Sequence, residues 1–368
     1  MSGTDTRFMA LALSLGARGL GHVWPNPAVG CVIVKDGRIV GRGSTQAGGR
    51  PHAEAVALAQ AREAARGATA YVTLEPCAHH GKTPPCAEAL VSAGVARVVI
   101  GTGDPDSRVD GRGTAILRAA GVEVAADVLR AEAEAANAGF LMRVRNGRPW
   151  VTLKLAASLD GRIATASGES KWITGPQARR HVHAMRARHD AVMVGGGTAR
   201  ADDPSLTVRD LGDVRQPVRI VLTRRLDLPL DGQLALSAAV LPVWLCHGPD
   251  AEPGLMKAWQ GLGATPIACA LGRNRQLDTT SVLAALANNG LTRIFCEGGG
   301  ALAASLLGAH MVDELVCFTA GLALGAEGRS MLGAMGQDRL AAMPRFRLEE
   351  SRIVGGDVVQ RWRPAERA

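Results

Sequence analysis

Short apolar runs, too brief for helices, alternate along this chain with longer stretches of helical spacing, and that alternation limits the fold more than any other feature. Val29 to Val34 and Arg38 to Gly43 read as two strands joined by Asp36-Gly37, a pair suited to the positive φ angles of a tight hairpin turn. Helical spacing marks Arg7 to Leu15, His52 to Ala65, Cys86 to Ala93 and Thr114 to Ala120; strands are expected at Ala70 to Leu74, Arg97 to Gly101 and Val122 to Ala125. Strands interleaved with helices predict a mostly parallel sheet covered on both faces, an α/β fold. Aromatic residues are only 3% of the chain whereas glycine occurs 45 times, so the layers must close on small and aliphatic side chains.

The pattern resumes after Arg145-Asn146-Gly147-Arg148-Pro149, which we take as the junction of two domains, 1–146 and 147–368. Strands are expected at Trp150 to Ala156, Ala191 to Val194, Val218 to Leu222, Val240 to Cys246, Arg293 to Cys296 and Glu314 to Thr319. Helices are expected at Gly175 to His189, Thr280 to Asn288 and Ala301 to Leu307, and a terminal strand pair, Arg345 to Ser351 and Val358 to Trp362, turns at Gly355-Gly356. No repeat relates the halves. The net charge of +8 is not gathered in a basic tail; it suits a phosphorylated substrate as well as a weak RNA contact. No window approaches the ~20 apolar residues of a membrane-spanning helix, and the polar start lacks a leader pattern, so a cytoplasmic protein without membrane contact is expected. Seven cysteines do not make a disulfide framework, and in a reducing compartment they suggest bound metal or buried thiols.

Three short features propose where such a metal sits. His52-Ala53-Glu54 opens a helix, Pro76-Cys77 follows a buried strand, and Cys86 opens the next helix. One imidazole and two thiolates suit Zn²⁺ and leave a fourth position for water, whose pKa such a metal lowers towards ~7. Glu54 is placed to shuttle protons, so hydrolytic deamination of an amidine-type ring carbon is the expected chemistry. Eight residues separate Cys77 from Cys86 where the usual deaminase pattern has two, which leaves His79 or His80 open as the third ligand. Asn26, held between Pro25 and Pro27, is a rigid amide able to read a ring edge.

In the second half, Glu297-Gly298-Gly299-Gly300-Ala301 and Gly195-Gly196-Gly197-Thr198 each follow an expected strand, and their bare N–H groups can meet a pyrophosphate. Lys154 lies within an apolar strand, where its ammonium must pair with a carboxylate such as Asp202 or meet a substrate anion or hydroxyl. Arg186 and Arg209 are candidates to clamp a phosphate, and Arg224-Arg225 to meet a cofactor 2′-phosphate.

The runs Pro25 to Val34, Pro51 to Glu54 and Thr73 to Cys86 resemble the bifunctional deaminase/reductase family of riboflavin biosynthesis, and the likeness continues through Leu153 to Thr174, Ala201-Asp202-Asp203-Pro204 and Glu297-Gly298-Gly299. That resemblance implies an N-terminal cytidine-deaminase-like three-layer α/β/α domain followed by a dihydrofolate-reductase-like α/β domain. It implies Zn²⁺ on His52, Cys77 and Cys86, proton transfer by Glu54, and Asn26, His79 and Lys82 lining the pyrimidine pocket. It implies NADPH as the reductant, with Lys154, Ser170, Arg186, Leu206, Arg209 and Glu297 on the substrate side. Ala156, Trp172, Thr198, Asp202, Gly299, Gly300, Ala301, Leu302, Ala303, Ala304 and Ser305 fall on the cofactor side, and Lys154 and Asp202 are the expected catalytic pair. Thr45 stands where the family often has a histidine. The implied partner is a phosphoribosylated pyrimidine and the expected form a homo-oligomer. Two other readings stay in view: a zinc deaminase acting on RNA with a basic RNA-holding second half, and a nucleotide-binding regulator with a structural zinc. Few aromatics and no dense Lys/Arg stripe weigh against the first.

Overall fold

The computed structural model describes residues 3–80 and 84–365 and divides into two compact units, Met1–Arg148 and Pro149–Ala368. The first unit runs Gly3–Gly16 (α1), Gly30–Lys35 (β1), Arg38–Ser44 (β2), Ala53–Ala61 (α2), Thr69–Val72 (β3), Cys86–Ser92 (α3), Arg97–Ile100 (β4), Arg112–Ala119 (α4), Glu123–Ala125 (β5), Arg130–Ala136 (α5) and Ala138–Asn146 (α6). Its sheet has the order β2-β1-β3-β4-β5. Only β3–β4 and β4–β5 are parallel, which corrects the expected mostly parallel sheet: the Asp36-Gly37 turn makes β2 antiparallel to β1, and β3 joins the other edge of β1 antiparallel as well.

Strand periodicity sorts the core into two layers. Cys31 and Ile33 of β1 pack with Ala53 and Ala57 of α2, Leu90 of α3 and Leu117 of α4. Val32 and Val34 point the other way, onto Phe8, Met9, Ala12 and Leu15 of α1. Small residues permit this spacing, because a methyl group at Gly41 or Gly43 would lie 2.2 or 2.3 Å from a carbonyl oxygen of α2. Helices α5 and α6, not expected from the sequence, close the unit, with Phe140 and Leu141 buried in the α2–α4 layer.

The second unit runs Trp150–Ser158 (β6), Arg162–Ala164 (β7), Pro176–Arg186 (α7), Ala191–Gly195 (β8), Gly196–Asp202 (α8), Val218–Leu222 (β9), Gln233–Leu236 (α9), Val243–His247 (β10), Pro253–Gly261 (α10), Thr265–Ala268 (β11), Thr279–Asn288 (α11), Arg293–Gly298 (β12), Gly300–Gly308 (α12), Glu314–Ala320 (β13), Arg329–Ser330 (β14), Phe346–Val354 (β15) and Asp357–Pro364 (β16). Nine strands form one sheet in the order β11-β10-β9-β8-β12-β6-β13-β16-β15. Pairing is parallel from β11 to β13 and antiparallel through the terminal pair. The strand expected from Val240 starts at Val243 instead; Val240 is 84% exposed in a turn that returns its N–H to Ser237. Because β12 inserts between β6 and β8, the ends of these three strands border a crevice where the strand order reverses, the usual ligand position in open α/β sheets.

Candidate functional site

In the first unit, three chain segments bring ligand-type atoms together at the ends of elements. His52 is the extended residue that caps α2, Cys77 lies in the loop after β3, and Cys86 is the first residue of α3. His52 Nδ1 lies 3.6 Å from Cys77 Sγ and 3.4 Å from Cys86 Sγ, and the Cys86 amide donates to Cys77 Sγ at 3.3 Å. All three ligand atoms fall within 4.8 Å of one another. A nitrogen and two sulfurs so gathered fit a zinc ion with one position left over. The hydrogen bond from Cys86 lowers the Cys77 thiol to about 4, so one of the pair is a thiolate at neutral pH, and its interaction with His52 raises the imidazole. Glu54, 3% exposed on the first turn of α2, is pushed up to about 7 by burial and by the charge of Cys77. His80 turns outward to Glu88 at 3.4 Å, and neither it nor His79 belongs to the ligand cluster. His79 is half-buried and its Nδ1 has no partner among the described residues; Lys82 lies outside them.

Two glycines shape this site. A side chain at Gly49, whose φ is +85°, would begin 1.9 Å from Asn26 Nδ2, so the bare backbone there seats the amide. Gly113 lets the Pro76 carbonyl rest on α4, where a methyl group would lie 2.0 Å from that oxygen. Glu75, which the sequence reading passed over although it lies within the Thr73 to Cys86 motif, accepts the N–H groups of Gly111 at 3.1 Å and Thr114 at 2.9 Å. The Cys77 loop is thereby docked on the start of α4. Thr45 is buried and its hydroxyl accepts the Val29 N–H at 3.1 Å, bracing the end of the Asn26 segment.

The crevice of the second unit is a cavity of about 860 Å³. Its lining brings together Lys154, Ala156, Ser170, Trp172, Arg186, Thr198, Asp202, Leu206, Arg209 and Glu297, all singled out from the sequence. Their interactions differ from expectation in three places. Lys154 does not pair with Asp202: its nearby charges are Glu297 and Arg186, burial lowers its pKa with Glu297 opposing, and Asp202 is exposed on the rim at the end of α8. Arg186 is not free to clamp a phosphate, because its Nε and Nη2 hold both oxygens of Glu297, the second at 3.0 Å, and its Nη1 donates to the Thr207 carbonyl at 2.7 Å. Arg224 is held by both oxygens of Asp250 rather than left open for a 2′-phosphate.

The two glycine turns meet. Thr198 Oγ1 donates to the Gly298 carbonyl at 3.2 Å, and Gly299, at φ +97°, leaves only 2.6 Å between its own Cβ position and that hydroxyl. Of the expected cofactor run, Ala303 and Ala304 lie on the buried face of α12 and the Ala303 amide is spent on the Gly299 carbonyl. Ser305 turns its hydroxyl back to the Ala301 carbonyl at 3.0 Å. Backbone at Gly299, Gly300 and Ala301, at the start of the helix, remains the part suited to an anion, with Leu302 packed half-buried behind it. Trp172, 67% exposed, lies under the Arg179 guanidinium at 4.5 Å. His183, missed from the sequence, also lines the cavity; it lies three residues before Arg186 on the Arg/His-rich helix, a spacing that puts both on one face.

Fold and sites together define a zinc-type deaminase joined to a nicotinamide-dependent reductase, with Zn²⁺ and NADPH as cofactors. Residues 2–102 match the cytidine and deoxycytidylate deaminase zinc-binding region, and residues 149–360 match the RibD C-terminal domain. The chain is 44% identical over 370 residues to the riboflavin biosynthesis protein RibD of Escherichia coli, covering 96% of this chain and 98% of that one. The Acinetobacter baumannii RibD structure superposes with a TM-score of 0.88 at 40% identity over 99% of both chains. A Thermotoga maritima structure described as a diaminohydroxyphosphoribosylaminopyrimidine deaminase/5-amino-6-(5-phosphoribosylamino)uracil reductase gives a TM-score of 0.85 at 35% identity over 98% of this chain and 99% of that one. The chain belongs to the RibD family of bifunctional riboflavin-biosynthesis enzymes, and the RNA-directed deaminase reading is not favoured.

Proposed function

We propose that the first unit hydrolyses the 2-amino group of 2,5-diamino-6-(5-phosphoribosylamino)pyrimidin-4(3H)-one, and that the second reduces the ribosyl group of the product to a ribityl chain, giving 5-amino-6-(5-phosphoribitylamino)uracil. The observation that carries this reading is the presence in one chain of the His52, Cys77 and Cys86 cluster with Glu54 buried two residues after His52, and of a separate cavity lined by the half-buried Lys154. The name borne by the Thermotoga maritima relative supports the substrates.

His52, Cys77 and Cys86 would hold the zinc ion, whose Lewis acidity makes water nucleophilic near neutral pH. Glu54 carries the protons: its carboxylate accepts one from the attacking water, passes it to the ring nitrogen, and returns protons to the amino group so that it leaves as ammonia. Burial raises the Glu54 carboxyl, which suits it to both directions of transfer. Asn26 would present an amide, which can donate and accept, to the ring edge, and His79 in the Cys77 loop carries a nitrogen, Nδ1, with no partner among the described residues. In the second unit bound NADPH would supply the hydride. Lys154 holds a proton in the cavity wall beside Glu297, for the sugar oxygen released when the ribosyl ring opens. Arg209 and Ser170 would take the phosphoribosyl end; Thr198, Trp172 and Asp202, which line the same cavity, and the Gly299–Ala301 backbone at the start of α12 would take the cofactor.

Among the described residues no helix is long and apolar enough to cross a membrane. We place the enzyme in the cytoplasm, acting on a small molecule and not on nucleic acid. The exposed Leu348 and Ile353 of edge strand β15 support a homo-oligomer. The test of the first reaction is Glu54→Gln: it keeps stoichiometric zinc, loses ammonia release by a factor of about 10² or more, and still reduces 5-amino-6-(5-phosphoribosylamino)uracil at the parent rate. Parent-rate ammonia release by this variant would remove Glu54 from the mechanism.

A further inference from the structure

His183 has no part in the chemistry assigned above, yet it is only 8% exposed and faces the cavity. Its Nδ1 accepts the Arg209 backbone N–H at 3.2 Å. That bond fixes the tautomer, because a nitrogen that accepts has no proton of its own, so in the neutral ring the proton sits on Nε2. Burial, with the Arg186 and Arg209 guanidiniums adding, holds the imidazole below its usual range, so the neutral form is the one present. Nε2 makes no hydrogen bond among the described residues. Nε2 opens onto the cavity, so its N–H is a donor held in a fixed direction and available to an acceptor on whatever fills that cavity.

The surroundings say what that acceptor belongs to. Arg179, Arg180 and Arg209 line the same cavity as His183, and Arg209 Nη1 reaches no further than the Ser205 hydroxyl at 3.3 Å. The excess of cations suits an anionic group. The Arg209 segment is the one that His183 itself pins by the backbone. We propose that His183 is a substrate-binding residue of the reduction step: Nε2–H donates to an oxygen of the phosphoribosyl group, while Nδ1 fixes the backbone of Arg209 against the cavity wall.

This inference rests on the reading of the cavity as the reductase site. Two amide substitutions separate the halves of the role in the full-length enzyme. His183→Asn places an acceptor near the former Nδ1 but has nothing at Nε2; His183→Gln reaches the Nε2 position with a donor and leaves the Arg209 amide unpaired. Reduction of 5-amino-6-(5-phosphoribosylamino)uracil is followed at the reduced-nicotinamide absorbance, with NADPH binding measured by its fluorescence as the check that the second unit is folded. The expected result is a KM for the uracil substrate raised about tenfold in His183→Asn and in His183→Ala, with NADPH affinity within twofold of the parent and KM in His183→Gln within about threefold. A parent-like His183→Asn, or a loss confined to NADPH affinity, overturns the proposed contact. Lys154→Met is measured alongside. If it abolishes reduction while the His183 variants match the parent, this inference alone falls; if it too leaves reduction unchanged, the cavity assignment falls and the inference with it.

Discussion

Replacing Gly113 by alanine tests whether the zinc ligands are positioned by the contact between the Cys77 loop and α4. The added methyl would lie 2.0 Å from the Pro76 oxygen and 3.3 Å from Glu75 Cγ. Ordinary carbon–oxygen contact begins a little above 3 Å, so the Pro76 peptide must retreat by about 1 Å, and Cys77 is the next residue. Zinc tolerates ligand errors of only ~0.2 Å, so a displacement several times larger cannot be absorbed at the metal. Loss of a supporting contact of this kind lowers metal affinity on the order of 10- to 100-fold, and overpacking adds ~1–3 kcal/mol of destabilisation to the unit.

Competition with a chromophoric chelator gives the affinity, and zinc content after gel filtration gives the occupancy. The control is Gly121→Ala, just past the other end of α4. Gly121 has φ +78° with nothing near its Cβ position, so alanine there strains the backbone without touching Pro76 or Glu75. Gly113→Ala is expected to lose zinc and ammonia release together, with NADPH-dependent reduction by the same preparation within twofold of the parent, while Gly121→Ala keeps its zinc. Parent-like affinity in Gly113→Ala, or equal loss in both variants, would refute the positioning argument.

Gly49→Ala should leave zinc content unchanged yet raise the KM for deamination severalfold, because its methyl would displace the Asn26 amide from 1.9 Å; an unaltered KM would detach Asn26 from substrate binding. His189 governs a pH effect on stability in the second unit. Burial lowers its pKa to about 4, with Nδ1 bound to the Met185 carbonyl at 2.7 Å and Nε2 near the Thr152 hydroxyl at 3.1 Å. Between that value and the unfolded ~6.5 the unfolded chain binds more protons, so this contribution is complete above ~6.5 and is lost as pH falls towards 4, by about 3 kcal/mol at most. Urea unfolding from pH 7 to 4 should therefore show a shallower loss in His189→Gln, and parallel pH curves would count against it.

What was legible in the sequence was what local rules dictate. The hairpin followed from Asp36-Gly37, whose φ angles are +49° and +74°, and the zinc cluster followed because its ligands mark element ends, His52 before α2 and Cys86 opening α3. Elements whose signal is weak were not seen. Strand β11 contains Pro266, lies at the sheet edge and buries only Ile267, while α10 commits a single fully buried residue, Trp259, to the core. Helices α5 and α6 fall on either side of Asn137 in an alanine-rich stretch that gives little periodic contrast.

The partner of a buried charge was the least readable feature, because it is set by the sheet and not by the neighbourhood in sequence. Arg186 and Glu297 are 111 residues apart and meet only because β12 inserts beside β6. Asp202, much nearer to Arg186 in sequence, ends a short helix on the rim. The true pairing changes what Lys154 can do. Both Glu297 oxygens are taken by Arg186, so Lys154 feels the carboxylate through space but forms no hydrogen bond to it among the described residues. An ammonium neutralised at a distance and left unbonded is held in place without being used up, which is the state a proton donor to an incoming substrate requires.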